Sequence, residues 1–109
     1  MTIALPEPIA TYFAADRERD ASAIAALFTT DATVRDEGHS YTGHGAIREW
    51  QAEAASKFNY VITPISVVEE AGVTIVTAQL NGDFPGSPAT LRYGFALRGP
   101  RIAALEIGA

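Results

Sequence analysis

The chain has 109 residues, a net charge of −5 and 48% apolar residues, a composition that argues against disorder. We expect one domain over residues 1–109, with one core and room for one cavity. The acidic balance, without a cluster of Lys or Arg, argues against nucleic acids and membranes as partners. The absence of cysteine excludes disulfides, thiol catalysis and thiolate metal sites. Because no signal peptide and no apolar run of about 20 residues is present, we expect a cytoplasmic protein.

Two helices are predicted at the start of the chain. The first covers residues 6–20, and one face of it carries Ile9, Tyr12, Phe13 and Asp16. Asp20 is a typical N-cap residue and predicts a short second helix after it. The apolar stripe of that second helix consists of Ile24, Leu27 and Phe28.

A strand over residues 32–35 and a polar, glycine-containing loop, DEGHSYTGHG, over residues 36–45 are predicted next. A third helix follows this loop and shows the cleanest helical period of the chain. Its inner face consists of Ile47, Trp50, Gln51, Ala54 and Phe58.

After the third helix the pattern becomes that of strands, predicted over residues 60–69, 73–80, 89–97 and 102–107. Pro64 cannot donate to a ladder, so its strand is expected at a sheet edge or at a bulge. Helices followed by hairpin-linked strands indicate an α+β domain, with a strongly curved, mostly antiparallel sheet wrapped around three helices. Because the last strand carries apolar residues on both faces, we expect a homodimer.

A few polar side chains on apolar faces or at strand ends are the candidates for chemistry: Tyr12, Asp36, Gln51 and Tyr93. In the sequence ATVRD, Val34 and Asp36 share a face, so Asp36 is expected to point toward the core. Desolvation of a carboxylate raises its pKa and suits a general base. Each candidate also has a structural interpretation: the tyrosines as core residues, the aspartate in an Asx-type turn, the glutamine at the helix rim.

The two histidines, His39 and His44, lie in one predicted loop. Without a carboxylate pair on a rigid element, this arrangement is a weak indication of a metal site. The sequence carries no P-loop, no GxSxG nucleophile motif and no dinucleotide-binding fingerprint. We therefore expect neither a metal nor a cofactor.

Several segments resemble one known group of proteins. The segment IATYFAADRERDASAIAALFTTDATVRD, residues 9–36, closely resembles the opening of the bacterial Δ5-3-ketosteroid isomerases. These belong to the nuclear-transport-factor-2-like (NTF2-like) superfamily, which also holds the SnoaL-like polyketide cyclases. GHGAIREW resembles a helix start common in this group, and FPGSPATLRYGFAL and RIAALEIG resemble its last two strands. The resemblance implies an NTF2-like cone that encloses one pocket.

The resemblance also assigns roles to individual residues. Tyr12 matches the oxyanion-hole tyrosine of the isomerases, and Asp36 matches their general base. Tyr93 stands where the isomerases have a protonated aspartic acid, and Gln51 where a supporting tyrosine is common. A phenol with a pKa near about 10 stays protonated at neutral pH, so Tyr93 can serve as the second donor. The remaining ligand contacts are expected from Phe13, Phe28, Val34, Trp50, Gln51 and Phe95.

Three functions stay open at this point. The first is an isomerase- or cyclase-like enzyme that moves a proton α to a carbonyl. The second is a non-catalytic protein that binds a small apolar molecule. The third alternative is a dimeric interaction module. A surface specialised for a protein partner would favour that alternative, and no segment of the sequence marks one.

Overall fold

The structure is a computed structural model that describes residues 4–57 and 59–108, and these form three helices and six strands. The elements are α1 (Glu7–Arg17), α2 (Ala21–Ala26), β1 (Phe28–Asp36), β2 (His39–Thr42), α3 (His44–Lys57), β3 (Tyr60–Glu70), β4 (Val73–Gly82), β5 (Ala89–Arg98) and β6 (Arg101–Gly108). Phe58, predicted on the inner face of the third helix, lies outside the described residues. Within the described ranges, no helix is both long enough and apolar enough to cross a membrane.

The six strands form one curved sheet in the order β2-β1-β6-β5-β4-β3, and the three helices pack on it. All neighbouring strands are antiparallel except β1 and β6, which run parallel. The core lies between the helices and the inner face of the sheet. The predicted α+β class, with three helices on a mostly antiparallel curved sheet, is confirmed.

The second helix begins as predicted and ends earlier than predicted. The Asp20 side chain accepts a hydrogen bond from the backbone N–H of Ala23 at 3.0 Å, so the predicted N-cap is confirmed. The prediction that Phe28 extends this helix is wrong, because Phe28 opens β1 and pairs with Ile102 of β6. The backbone N–H of Ile102 also donates to the carbonyl of Leu27. This distant pairing draws the chain into the sheet four residues before the predicted strand start.

The polar loop predicted over residues 36–45 is instead a β-hairpin as far as Thr42, followed by the start of α3 at His44. Glu37 and Gly38 form a two-residue turn with φ values of 54° and 80°, and β2 returns alongside β1. Two positive φ values are the feature of the primed turns that match the twist of paired strands. Because β2 is an edge strand with mostly exposed residues, its sequence lacks the apolar alternation of a buried strand. The hairpin places Asp36 at the very end of β1, opposite His39.

Register shifts in β3 and β6 decide which residues face the core. The strand β3 is an edge strand and shifts its register between Pro64 and Ser66, so both expectations for the proline are confirmed. A second shift, where β5 pairs with β6, leaves Ile102 and Leu105 both buried. The apolar residues on both faces of the last strand are therefore largely the consequence of a bulge. They do not form the apolar outer face from which a dimer is expected.

A different apolar surface remains on β3. Val61, Ile65 and Val68 are 56%, 51% and 52% exposed, and all three lie on this edge strand. Clustered large apolar side chains on a protein surface are typical of contact sites. We propose that the chain forms a homodimer through this face.

Sedimentation equilibrium at about micromolar concentration tests this proposal. The wild-type protein is expected at twice the chain mass of 11.6 kDa. Replacing Val61 and Val68 together by Lys is expected to give a monomer with nearly unchanged stability, because both side chains are already exposed. Ala10→Lys, at an exposed position of α1, is the matched control and should leave the dimer intact. A monomeric wild-type protein would contradict the proposal.

Candidate functional site

A cavity of about 580 Å³ lies between the helices and the inner face of the sheet. Its polar wall includes Tyr12, Asp16, Asp36, Gln51, Tyr60 and Tyr93. Its apolar wall includes Ile62, Leu80, Phe84, Leu91 and Ile107. A mixed wall with a few convergent polar groups is typical of small-molecule sites.

Five of the residues predicted for the site line this cavity: Tyr12, Asp36, Trp50, Gln51 and Tyr93. They come from four separate elements, α1, β1, α3 and β5. The fold therefore brings together the three residues expected to carry chemistry, Tyr12, Asp36 and Tyr93.

The structure places the other four predicted ligand contacts in the core and not in the cavity wall: Phe13, Phe28, Val34 and Phe95. Three of them are aromatic and pack against Tyr12, with ring centroids 5.2, 6.4 and 5.4 Å away for Phe13, Phe28 and Phe95. An apolar strand or helix face cannot by itself distinguish a core position from a cavity wall. These rings pack against the Tyr12 ring in the core, away from the cavity.

Asp36 is half-buried and lies on the same inner face as Val34, while Arg35 is exposed, as the alternation of the strand predicts. The indole N–H of Trp50 donates to Asp36 Oδ2 at 3.0 Å. Within the described part of the chain, no donor reaches Asp36 Oδ1. Burial raises the pKa of Asp36, and the Trp50 hydrogen bond partly offsets this by stabilising the carboxylate.

The hydroxyl groups of Tyr12 and Tyr93 open into the cavity. Both side chains are almost fully buried, yet neither hydroxyl has a hydrogen-bond partner among residues 4–57 and 59–108. No fully enclosed side-chain oxygen or nitrogen of these residues lacks a partner, so both hydroxyls must reach the open space. Burial raises the pKa of each phenol well above its usual value. Both groups are therefore protonated hydrogen-bond donors at neutral pH.

Asp16 is a second carboxylate in the cavity wall that the sequence did not single out for chemistry. Its residue is only 6% exposed, and its Oδ1 accepts from Gln51 Nε2 at 3.1 Å and from the Tyr60 hydroxyl at 3.3 Å. Burial raises the pKa of Asp16, and these two donors act in the opposite direction. The sequence feature that could have identified Asp16 as a site residue was its position on the apolar stripe of α1. A carboxylate buried on such a stripe needs hydrogen-bond partners.

The resemblance implies that Gln51 supports Tyr12, but the hydrogen-bond partner of Gln51 is Asp16. It stands where a tyrosine that supports the oxyanion-hole tyrosine is common, yet its side chain donates to Asp16 and not to Tyr12. Burial raises the pKa of Tyr60, the other partner of Asp16, to about 12, so this phenol also stays a donor.

The family model for the SnoaL-like domain matches residues 9–102. The chain belongs to the SnoaL-like domain family. A candidate polyketide cyclase from Sinorhizobium meliloti is 39% identical, with 95% of each chain covered and a TM-score of 0.90. A comparison with curated proteins found no match.

More distant solved structures share the fold of this SnoaL-like domain. A ketosteroid isomerase-like protein from Catenulispora acidiphila, in complex with trimethylamine, is 22% identical over 97% of this chain and 87% of its own, with a TM-score of 0.85. An NTF2-like protein of unknown function from Cytophaga hutchinsonii is 11% identical over 99% and 91%, with a TM-score of 0.77. Together with the family model and the 39% identical structure, this shared fold confirms the resemblance to the NTF2-like superfamily.

Other polar features of the SnoaL-like domain lie away from the cavity. His44 Nε2 lies 2.8 Å from the carbonyl oxygen of Phe28, which ties the start of α3 to β1. In the described ranges, no group of three or more His, Asp or Glu side chains is arranged to hold a metal ion. A more open surface depression of about 560 Å³ includes Arg19, Arg48 and Glu49 in its lining, and none of its lining residues in the described ranges is aromatic.

The raised pKa of Asp36 predicts a pH dependence of stability. In the native state Asp36 holds its proton to a higher pH than in the unfolded chain, so its contribution to stability is lost as the pH rises through its native pKa. The window begins above the ordinary aspartate pKa of about 3.9. Asp36→Asn removes this loss. Its midpoint of urea unfolding should therefore fall less than that of the wild type between about pH 4 and about pH 7.

Asp31→Asn provides a contrast of opposite sign. The hydroxyl of Thr29 donates to Asp31 and lowers its pKa, so stability from this residue is present above the ordinary pKa and lost as the pH falls. Asp31→Asn removes this contribution, so its midpoint of urea unfolding should fall less than that of the wild type as the pH decreases below about 4. Equal slopes for wild type and Asp36→Asn in the window above about pH 4 would show that burial does not perturb Asp36.

Proposed function

We propose that this SnoaL-like domain binds a small apolar carbonyl compound and moves a proton at the carbon α to the carbonyl. The observation that carries the proposal is the convergence on one cavity of the half-buried carboxylate of Asp36 and two phenol hydroxyls that have no hydrogen-bond partner among the described residues. A base beside the C–H bond and donors at the carbonyl oxygen are the groups that enolisation requires. Ketosteroid isomerase uses the same pairing, an aspartate base together with an oxyanion hole.

Asp36 Oδ1 is the proposed base. It takes the α-proton, the electron pair of the C–H bond becomes the carbon–carbon π bond of the enolate, and the carbonyl π electrons move to oxygen. The hydroxyls of Tyr12 and Tyr93 donate to this oxygen as its negative charge grows. Return of the proton from Asp36 to a conjugated carbon completes an isomerisation. If the proton on Asp36 is first replaced by one from the solvent, its return to the α-carbon completes an exchange, and either step restores the carboxylate.

The packing of the two phenols favours this role. Their ring centroids lie 6.4 Å apart, and each ring is held edge-on by aromatic neighbours. Donors fixed before the reaction stabilise the developing charge without a reorganisation cost. Because their pKa values are raised, neither phenol loses its proton to the enolate or to the solvent at neutral pH.

A non-catalytic binding protein is the second candidate. The cavity wall carries acidic and aromatic side chains, and its one lysine, Lys57, is paired with Glu53 at 2.9 Å. A structural neighbour was crystallised with trimethylamine, so a small organic amine is a suitable probe for this alternative. A cytoplasmic location and a role as an interaction module stay predictions.

Deuterium exchange into β-tetralone, a small apolar ketone, tests the catalytic proposal by proton NMR in heavy water. Wild type is expected to accelerate exchange above the buffer rate. Asp36→Asn should lose at least about a hundredfold of that acceleration. Tyr12→Phe and Tyr93→Phe should each lose about tenfold to a hundredfold, since each removes one oxyanion donor.

Asp20→Asn is the matched control, because asparagine also caps a helix and Asp20 lies on the exposed α1–α2 connection. It should retain wild-type exchange. Urea unfolding of every variant separates loss of function from loss of fold. Wild-type exchange no faster than that of Asp36→Asn, with both proteins folded, would leave the binding protein as the better interpretation.

A further inference from the structure

The proposed mechanism uses Asp36, Tyr12 and Tyr93 and leaves Asp16 without a task. We propose that Asp16 is a recognition residue for the ligand, whose free carboxylate oxygen accepts a hydrogen bond from a donor group of the ligand other than its carbonyl. The expected substrate class is therefore a carbonyl compound that also carries a hydroxyl or ammonium group. This inference rests on the proposed function for the identity of the carbonyl end.

Only one of the two carboxylate oxygens of Asp16, Oδ1, accepts hydrogen bonds from the described residues. Both of its side-chain donors, Gln51 Nε2 and the Tyr60 hydroxyl, reach Oδ1. Oδ2 accepts from no residue in the described ranges, and Asp16 lines the cavity. A carboxylate accepts about four hydrogen bonds, and a buried acceptor left unpaired is unfavourable. The open oxygen therefore favours a donor from the occupant of the cavity.

The two donors also fix the direction of the carboxylate. Gln51 approaches from α3 and Tyr60 from β3, so Asp16 on α1 is held from two sides. The guanidinium of Arg19 lies over the ring of Tyr60, 5.2 Å from its centroid, and donates to the carbonyl of Ala55. Asp16 is thus part of a built arrangement, and its free oxygen cannot turn away from the cavity without losing both donors.

Asp16 and Asp36 occupy different parts of the cavity. Consecutive residues of α3, Gln51 and Trp50, hold the two carboxylates, and consecutive helical positions point about 100° apart. Neither carboxylate is among the groups that shift the pKa of the other, whereas both raise the pKa values of Tyr12 and Tyr93. A ligand that presents its α-carbon to Asp36 and its carbonyl oxygen to the two phenols can therefore present a second polar group to Asp16.

Isothermal titration calorimetry with derivatives of β-tetralone tests the inference through affinity. The probes are the parent ketone and, for each position of the aromatic ring in turn, three derivatives that carry a hydroxyl, a methoxy or a dimethylaminomethyl group. Wild type is expected to bind the hydroxyl derivative at least about tenfold more tightly than the methoxy derivative, because only the hydroxyl donates. Tightest binding of the dimethylaminomethyl derivative would identify an ammonium group as the natural donor.

Asp16→Asn makes a sharper prediction. Gln51 and Tyr60 continue to donate to the amide oxygen, so the amide N–H₂ group replaces the free acceptor on the cavity side. The preference should then invert, with the methoxy derivative bound more tightly than the hydroxyl derivative. Asp20→Asn, on the surface, should keep the wild-type order. The wild-type comparison needs no variant, so the inference stays testable if Asp16→Asn fails to fold.

The outcomes separate this inference from the proposed function. Equal wild-type affinities for the hydroxyl and methoxy derivatives would overturn the role of Asp16, even if α-proton exchange is observed. The same conclusion would follow if a folded Asp16→Asn variant kept the wild-type order. A clear preference for the donor without any α-proton exchange would support the role of Asp16 and overturn only the catalytic proposal.

Discussion

Two consecutive residues of α3, Trp50 and Gln51, each hold one carboxylate of the cavity wall, and the rest of the site depends on this arrangement. Trp50 donates to Asp36 at the end of β1, and Gln51 donates to Asp16 on α1. Carboxylates removed from water without donors are strongly unfavourable. Rotation or sliding of α3 by a few ångströms would lengthen both bonds, so these polar contacts help to fix the position of the helix.

The aromatic layer beneath the cavity complements these polar contacts. Tyr12 packs on Phe13 and Phe95, and Tyr93 stacks on Phe95 with a centroid distance of 6.4 Å. Packing, and not hydrogen bonding to a protein partner, therefore sets the direction of both hydroxyls. Such a layer leaves the donor capacity of the phenols for a ligand. It also explains why apolar residues near the site, such as Phe28, contribute to it without touching the cavity.

Features set by local pattern were predictable, and features set by distant pairing were not. The helical period of α3 and the placement of Val34 and Asp36 on one face of β1 follow from local sequence, and the structure shows both features. The start of β1 at Phe28 depends on β6, more than seventy residues later in the chain. The hairpin of β2 depends on a turn that a glutamate rarely forms, with a positive φ at Glu37. The sequence shows Asp16 on the apolar stripe of α1. Its hydrogen-bond partners lie on α3 and β3, and only the tertiary fold brings these elements together.

The departure from the isomerase pattern at Gln51 is physically linked to Asp16. In the isomerases that the sequence resembles, a tyrosine commonly stands at the position of Gln51. Here the amide of Gln51 is one of the two donors that satisfy Asp16, so a change at either position leaves the other short of a partner. Tyr12 and Asp36, which the resemblance assigns to proton transfer, share no hydrogen bond with this pair in the described ranges. Under the proposed mechanism, the three groups that act at the carbonyl can therefore be retained while the hydrogen bonds of Asp16 are altered, and a difference in substrate is the expected consequence.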